Sequence, residues 1–318
     1  MSVLSKKFFH NEAAAFAHLE KILWQDSGPV CPHCGSLERS GRLEGVKDKK
    51  GRVRLGLWKC YECRSQYTIR VGTVFESAHI PLSKMLQAVY LMASSKKGIS
   101  AHQLHRTLGV TFKTAWFLAH RIREAMRTGG LAPLGGAGVI VEADETFLGN
   151  EETHRARKGK RVARGPHNKR KILSLVQRNG ECRSFHITDL RVDVIAPIVR
   201  QNIRRESILS TDEARYYRKL GKEFAGHLKV EHGDDEYVRG DAHVNTAESL
   251  FSIFKRGMKG IYQHCGEQHL HRYLAEFDFR YNHRVALGYS DEMRAGRAVK
   301  GIVGKRLTYR NPDEARQV

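Results

Sequence analysis

The spacing of apolar residues changes along the chain, and each change predicts a different kind of element. Apolar side chains recur at helical spacing in residues 11–24 and again in 81–128, on either side of a turn-rich region that contains four cysteines. A Gly- and Pro-rich stretch at 131–139 then leads into alternating strands and helices. Strands are predicted at 139–144, 171–177, 182–188, 207–211 and 227–232, and helices at 192–203, 214–221, 245–258 and 269–284. This order predicts an α/β fold with a mixed sheet covered by helices.

Residues 81–128 predict three helices, with Gly109 in the turn between the second and the third. A short helix, a turn with glycine and a longer helix are typical of a helix-turn-helix. The third helix carries Lys113 and Arg121, which we expect to contact DNA in a major groove. An ordinary three-helix bundle would show the same pattern, so that alternative stays open.

Four cysteines form two C-x2-C pairs. Cys31 and Cys34 make the first pair, Cys60 and Cys63 the second, and 25 residues separate the pairs. Each pair can present two thiolates to one tetrahedral ion, so the spacing predicts a zinc ribbon. Two disulfides or four free thiols are the alternative. The two remaining cysteines, Cys182 and Cys265, have no partner in sequence and are predicted to be small buried apolar residues.

The chain is strongly basic, and this narrows the choice of partner. Its 318 residues include 55 Lys and Arg against 34 Asp and Glu, a formal charge of +21. Such an excess favours nucleic acid as the partner, although a solvated basic surface would give the same count. No apolar run is long enough to span a membrane, and no continuous apolar signal core opens the sequence, so a cytoplasmic protein without a membrane partner is expected.

The most basic segment, residues 151–171, has nine Lys and Arg against two Glu. It follows the first strand of the predicted sheet, and we expect it to hold the DNA backbone without reading sequence. The residues expected to make these contacts are Arg157, Lys158, Lys160 and Arg161.

Three acidic residues recur at positions where a sheet and a helix could bring them together. Asp144 and Asp212 each follow an apolar strand, and they would meet if the two strands are neighbours. Glu248 lies on a predicted helix, and Lys255 is seven residues further on the same face. Taken singly, the acids could be a strand-end residue, a helix cap and a solvated side chain. Together they predict a site in which Mg²⁺ or Mn²⁺ relieves their repulsion and binds a phosphodiester, with Lys255 on a phosphate.

With these residues in place, the sequence resembles the DDE transposases of bacterial insertion sequences that carry an N-terminal zinc ribbon. The resemblance runs from about residue 8 to 285, and 35 residues separate Asp212 from Glu248, a spacing these enzymes favour. The stretches that carry the resemblance are CPHCG (31–35), VEADETFLG (141–149), HVNTAESLFSIFKRGMKGIYQHC (243–265) and HRYLAEFDFRYNHR (271–284).

The resemblance implies an RNase H-like catalytic fold and Mg²⁺-dependent cleavage and transfer of DNA strands. By position, Asp144 and Asp212 match the two aspartates, Glu248 the glutamate and Lys255 the basic residue that follows it. Some relatives use Asn as the third residue, so Asn245 is the alternative third ligand. Expected partners are double-stranded DNA, both transposon ends and target, and further copies of the chain on that DNA. The expected location is the bacterial cytoplasm, at the nucleoid.

Four regions are therefore predicted: a helix and zinc ribbon (1–75), a helix-turn-helix-like DNA-binding region (76–130), an RNase H-like catalytic domain (136–290) and a basic tail (291–318). Two other functions remain possible. A nuclease on the same fold would hydrolyse DNA without transferring strands, and a DNA-binding regulator would need no catalytic acids.

Overall fold

The structure is a computed structural model that describes residues 2–25, 27–150, 168–230 and 240–308. It divides into two compact units, Met1–Arg127 together with Tyr289–Val318, and Thr128–Gly288. The first unit contains the predicted ribbon, the predicted three-helix region and the residues predicted as a tail. The second contains the predicted catalytic domain.

The ribbon is a small antiparallel sheet preceded by a helix. Its elements are α1 (Glu12–Trp24), β1 (Ser40–Leu43), β2 (Leu57–Cys60) and β3 (Gln66–Tyr67), with strand order β1-β2-β3. Asn11 caps α1 by accepting from the backbone N–H of Ala14 at 2.9 Å. On the other end of the helix, Trp24 packs edge-on against Trp58 of β2 at 5.3 Å between ring centroids. So small a core is typical of modules that a metal ion stabilises.

The three predicted helices are confirmed as α2 (Leu82–Ser94), α3 (Ala101–Leu108) and α4 (Phe112–Met126). Ser100 and Thr111 cap α3 and α4 with their side-chain oxygens, which fixes where each helix begins. Between them, Gly109 takes φ 58°, a left-handed conformation that glycine adopts without strain. The turn therefore has the chemistry that a tight helix-to-helix reversal requires.

The prediction of a peripheral basic tail is wrong for residues Asp291–Lys300, which form a further helix, α9. This helix packs along α2, buries Ala298 and Val299, and donates from the Arg294 guanidinium to the Ala93 carbonyl at 3.2 Å. Few apolar residues lie in this helix, so their spacing alone could not distinguish it from a solvated segment.

The second unit is built on a five-stranded mixed sheet of order β6-β5-β4-β7-β8. β4, β5 and β6 pair antiparallel, whereas β7 and β8 run parallel to β4. The strands are β4 (Ile140–Asn150), β5 (Lys169–Gln177), β6 (Cys182–Ile187), β7 (Ile208–Thr211) and β8 (Gly226–Lys229), and the helices are α5 (Val192–Asn202), α6 (Tyr217–Leu220), α7 (Asn245–Gly257) and α8 (Leu270–Asn282).

Helices cover both faces of this sheet. Alternate residues of β4 face opposite sides, and each side packs against a different pair of helices. Val141 and Ala143 pack with residues of α5 and α6 on one face. On the other face, α7 and α8 supply Phe254 and Phe277, which pack in one cluster with Leu148 of β4. The mixed, helix-covered sheet confirms the predicted fold class, including the RNase H-like arrangement.

Three details of the strands differ from the sequence prediction. β4 was expected to end at Asp144 but continues to Asn150, because β5 pairs with it along its whole length. β5 begins at Lys169, so residues 169–171 belong to a strand rather than to the basic loop. The Asn-Gly dipeptide at 179–180, between β5 and β6, favours a type I′ turn from sequence, but only Asn179 has a positive φ, 56°, so that turn does not form. None of the helices in the described part of the chain combines the length and apolar character that a membrane crossing requires.

Candidate active site

Asp144 and Asp212 meet where two parallel strands part. β4 and β7 pair only from Ile140 with Ile208 to Glu142 with Ser210, and β7 ends one residue later, at Thr211. Beyond that point the strands diverge, with Asp144 on β4 and Asp212 just after β7. Carboxylate oxygens of Asp144, Glu145 and Asp212 all lie within 4.8 Å of one another. The predicted juxtaposition of the two aspartates is therefore present in the structure.

Glu145, the third acid in this group, was not foreseen from the sequence. Its Oε2 atom accepts from the Tyr216 hydroxyl at 2.6 Å, and its Oε1 atom accepts from the Tyr217 hydroxyl. Adjacent residues of a strand project to opposite faces, so strand alternation alone does not indicate that Glu145 shares a site with Asp144. The adjacent tyrosines that follow Asp212 were the available signal, since buried phenols need an acceptor.

The site holds more acid than it can keep ionised without a cation. Burial, together with the charges of Asp212 and Glu248, raises the pKa of Asp144 to about 7. Burial also raises the pKa of Glu145 to about 8, despite the two phenol hydrogen bonds that lower it. Oxygen ligands this close together fit a hard divalent cation, which would stabilise the ionised carboxylates.

We expect Mn²⁺ affinity to rise with pH through the range around the Asp144 pKa of about 7. A raised pKa means that the folded protein holds a proton which the unfolded chain has lost, so the metal-free fold loses stability as pH rises towards 7 and the ion competes with that proton. Calorimetric titration with Mn²⁺ at about one pH unit below and above neutrality measures this change in affinity. An affinity independent of pH would contradict the expectation.

Glu248 and Asn245 lie in the first turn of α7, and both are exposed. The Glu248 charge contributes to the raised pKa of Asp144, so the first turn of α7 places this acid in the neighbourhood of Asp144. Its carboxylate is not among the three that lie within 4.8 Å of one another. Lys255 follows two turns later and is half-buried, whereas the apolar face of α7 is buried.

The four cysteines of the ribbon form one cluster. The Cys31 and Cys63 sulfurs are 3.7 Å apart, those of Cys34 and Cys60 are 3.6 Å apart, and none of the four is in a disulfide. Tetrahedral zinc with Zn–S bonds of about 2.3 Å separates sulfurs by roughly 3.8 Å, so the cluster fits Zn²⁺. Hydrogen bonds from Ser65 lower the pKa of the Cys63 thiol to about 6, which favours the thiolate that zinc requires.

The two residues predicted to contact DNA from α4 have opposite surroundings. Lys113 is exposed in the first turn, next to Phe112, whose ring stacks on His102 at 4.3 Å. Arg121 is only 8% exposed, and its guanidinium lies 4.7 Å from the centre of the Phe117 ring. The prediction for Arg121 is therefore not supported, because position 121 falls on the buried face of α4.

The remaining sequence predictions can be placed as follows. Cys182 and Cys265 are buried, as predicted. Arg157, Lys158, Lys160 and Arg161 lie outside the described residues.

Comparison with known proteins agrees with this geometry. A family model described as the ISXO2-like transposase domain matches residues 133–282, and one described as the transposase zinc-ribbon domain matches residues 10–66. The two matches together cover about two thirds of the chain. The chain belongs to the DDE-type insertion-sequence transposases with an N-terminal zinc ribbon.

A relative from Halobacterium salinarum is described as an uncharacterized protein in transposable element ISH50. It is 28% identical to this chain over 291 residues, which cover 86% of the chain and 92% of the relative.

Proposed function

We propose that this protein cuts the DNA strands of an insertion sequence and joins them to target DNA, using Mg²⁺ or Mn²⁺ held by Asp144, Asp212 and Glu248. The observation that supports it most strongly is the meeting of Asp144 and Asp212 where β4 and β7 part. When bound, such ions activate a water or a 3′-hydroxyl and stabilise the leaving oxygen of a phosphodiester.

The chain's own residues have separate tasks in this proposal. Asp144 supplies a carboxylate from β4 and Asp212 supplies one from the position just after β7, so neighbouring strands of one sheet bring them together. Glu248 supplies a third carboxylate from the first turn of α7, and Lys255, on the same helix, binds a neighbouring phosphate as a point charge. Glu145 lies beside Asp144 and Asp212 and accepts hydrogen bonds from the Tyr216 and Tyr217 hydroxyls. In its ionised form it would add negative charge beside the ions.

The proposed partner is double-stranded DNA, bound by several copies of the chain. The formal charge of +21 supplies the non-specific attraction. The exposed N-terminal turn of α4 is the part of a helix-turn-helix that reads bases, and Phe112 and Lys113 occupy it. The test is a reaction of purified protein with DNA that carries the ends of its element, with and without Mg²⁺. Joining of a 3′-hydroxyl end to a second DNA supports a transposase.

The same reaction separates the two other functions. Cleavage without joining would favour a nuclease on this fold, because both activities share the metal chemistry. Sequence-specific binding with neither cleavage nor joining would favour a regulator. A regulator would not need Asp144, Glu145 and Asp212 to lie close together.

We expect Lys113→Gln and Arg121→Gln to affect DNA binding differently. Lys113→Gln should weaken binding several-fold and lower the slope of log affinity against log salt by about one, because one positive charge beside the DNA is lost. Arg121→Gln should leave the affinity of the folded protein unchanged and instead lower thermal stability, since this side chain is buried over Phe117. Fluorescence anisotropy over a salt series measures both. Equal losses of affinity in the two variants would indicate that Arg121 contacts DNA.

Neutralising Arg157, Lys158, Lys160 and Arg161 together should lower affinity for all DNA sequences alike. Up to four phosphate contacts would be lost, which lowers the salt slope by roughly three to four. The measurement is competition between element-end DNA and unrelated DNA of equal length. A loss confined to one sequence would mean that this segment reads bases.

A further inference from the structure

Helix α7 begins without a cap from its own chain segment. Its N-cap residue is Val244, whose apolar side chain cannot accept a hydrogen bond from the first turn. A helix leaves its first backbone N–H groups without partners inside the helix, and leaving them bare when buried costs stability. The described part of the chain supplies the missing acceptor from β4, in the carboxylate of Glu142.

The Glu142 carboxylate is fully buried and is saturated with donors from α7. Its Oε2 atom accepts from the backbone N–H groups of Thr246 and Ala247, each at 2.9 Å. Its Oε1 atom accepts from the Thr246 hydroxyl at 2.9 Å. A carboxylate at this end of a helix also interacts favourably with the helix dipole. Glu142 therefore acts as the cap of α7, although about 100 residues separate the two in sequence.

Arg178 ties the same carboxylate to the segment that leads into the helix. Its Nε atom donates to Glu142 Oε1 at 2.7 Å, and its Nη2 atom donates to the carbonyls of Asp241 at 2.9 Å and His243 at 3.0 Å. The hydroxyl of Ser210 on β7 donates to the same His243 carbonyl at 2.8 Å. The residues that precede α7 are thus bound to β4, to β7 and to the end of β5 at once.

This network lies directly beside the acids of the site. Glu142 is two residues before Asp144 on the same strand, so the two side chains project to the same face. The helical turn that Glu142 caps carries Asn245 and Glu248, and the Glu248 charge acts on Asp144. β4 therefore has two roles. It carries Asp144 itself, and through Glu142, two residues earlier, it fixes the first turn of α7, which carries Glu248.

We infer that Glu142 is a positioning residue, which holds the first turn of α7 so that Glu248 is directed at the metal site of Asp144 and Asp212. The inference rests on the proposed function. Glu142 itself is not expected to contact metal or DNA, because its carboxylate oxygens already accept hydrogen bonds from α7 and Arg178. Its contribution passes through the placement of Glu248, and that placement is what an experiment can isolate.

The experiment is a double-mutant cycle with Glu142→Gln and Glu248→Gln in the full chain. Glutamine keeps one acceptor oxygen but turns an NH₂ group towards donors, so the cap is broken while the side-chain volume is retained. Mn²⁺ affinity, read from the electron paramagnetic resonance signal of free Mn²⁺, should fall about tenfold in Glu142→Gln, in the range found for residues that orient metal ligands. In the Glu248→Gln background the same change should have almost no further effect, because the positioned ligand is already gone.

Asp278→Asn is the matched control. Asp278 is also a carboxylate that joins a helix to the sheet, accepting from the Ser184 N–H and hydroxyl, each at 2.7 Å, but its helix is α8. We expect this change to lower the unfolding temperature and to leave the Mn²⁺ affinity of the folded protein within about twofold of wild type. If Glu142→Gln does not fold, Thr246→Val removes a single bond to Glu142 and should lower Mn²⁺ affinity by less, again only where Glu248 is present.

Two outcomes would overturn the inference. One is a Glu142→Gln protein that loses stability but binds Mn²⁺ as wild type does, which would make the cap purely structural. The other is an equal loss of Mn²⁺ affinity with and without Glu248. A failure of the proposed function looks different, because Asp144→Asn and Asp212→Asn would then also leave Mn²⁺ binding unchanged.

Discussion

We expect Glu248→Gln to abolish the proposed metal-dependent strand cleavage, with a loss of about a thousandfold or more, while DNA binding is retained or becomes tighter. A carboxylate brings charge to the cations, whereas an amide brings only a dipole, and removing a negative charge near phosphate favours binding. Asn245→Ala in the same helical turn should lose only about ten- to a hundredfold. Nicking of DNA at saturating Mg²⁺, with DNA affinity measured on the same samples, separates the two effects.

Glu145→Gln is the natural companion to that comparison, because Glu145 lies within 4.8 Å of both aspartates. If Glu248→Gln still cuts and Asn245→Ala does not, the third ligand is the asparagine. If cleavage survives in both and is lost in Glu145→Gln, the third ligand comes from β4 itself, and the helix contributes no ligand.

Cys60→Ser should remove the bound zinc and unfold the ribbon. Apparent binding energies of structural zinc are about 10–16 kcal/mol, more than a module with a few buried side chains can replace. Metal analysis should find about one Zn²⁺ per wild-type chain and none in the variant. The ribbon should also lose its protection from proteolysis.

The control for this change is Cys265→Ala, which removes a buried thiol from the other compact unit. It should keep the full zinc content. Zinc retained by Cys60→Ser, or equal loss in both variants, would contradict the four-cysteine site.

The sequence predicted well the features whose causes are local. The C-x2-C pairs, the three helices of residues 81–128 and the glycine at position 109 each follow from a few neighbouring residues. The meeting of Asp144 and Asp212 required one further assumption, that their strands are neighbours, and the parallel pairing of β4 with β7 satisfies it.

The features missed depend on contacts between distant parts of the chain. β4 extends past Asp144 because β5 pairs with it, which the residues of β4 alone do not reveal. Arg121 is charged yet buried, and burial of a charged residue is decided by its surroundings rather than by its type. Glu142 read as an ordinary strand residue, since its role as a cap depends on a helix that begins far along the chain.

The short pairing of β4 with β7 also links metal binding to the accuracy of folding. Only three residue pairs align these strands, so the distance between Asp144 and Asp212 depends on that alignment and not on the length of chain between them. A slip of β7 by one residue would turn Asp212 to the opposite side of the sheet. A divalent ion that requires both aspartates would bind only the correctly aligned form and would stabilise it by mass action. Metal binding at the proposed catalytic site would thus also favour the correctly aligned sheet over a misaligned one.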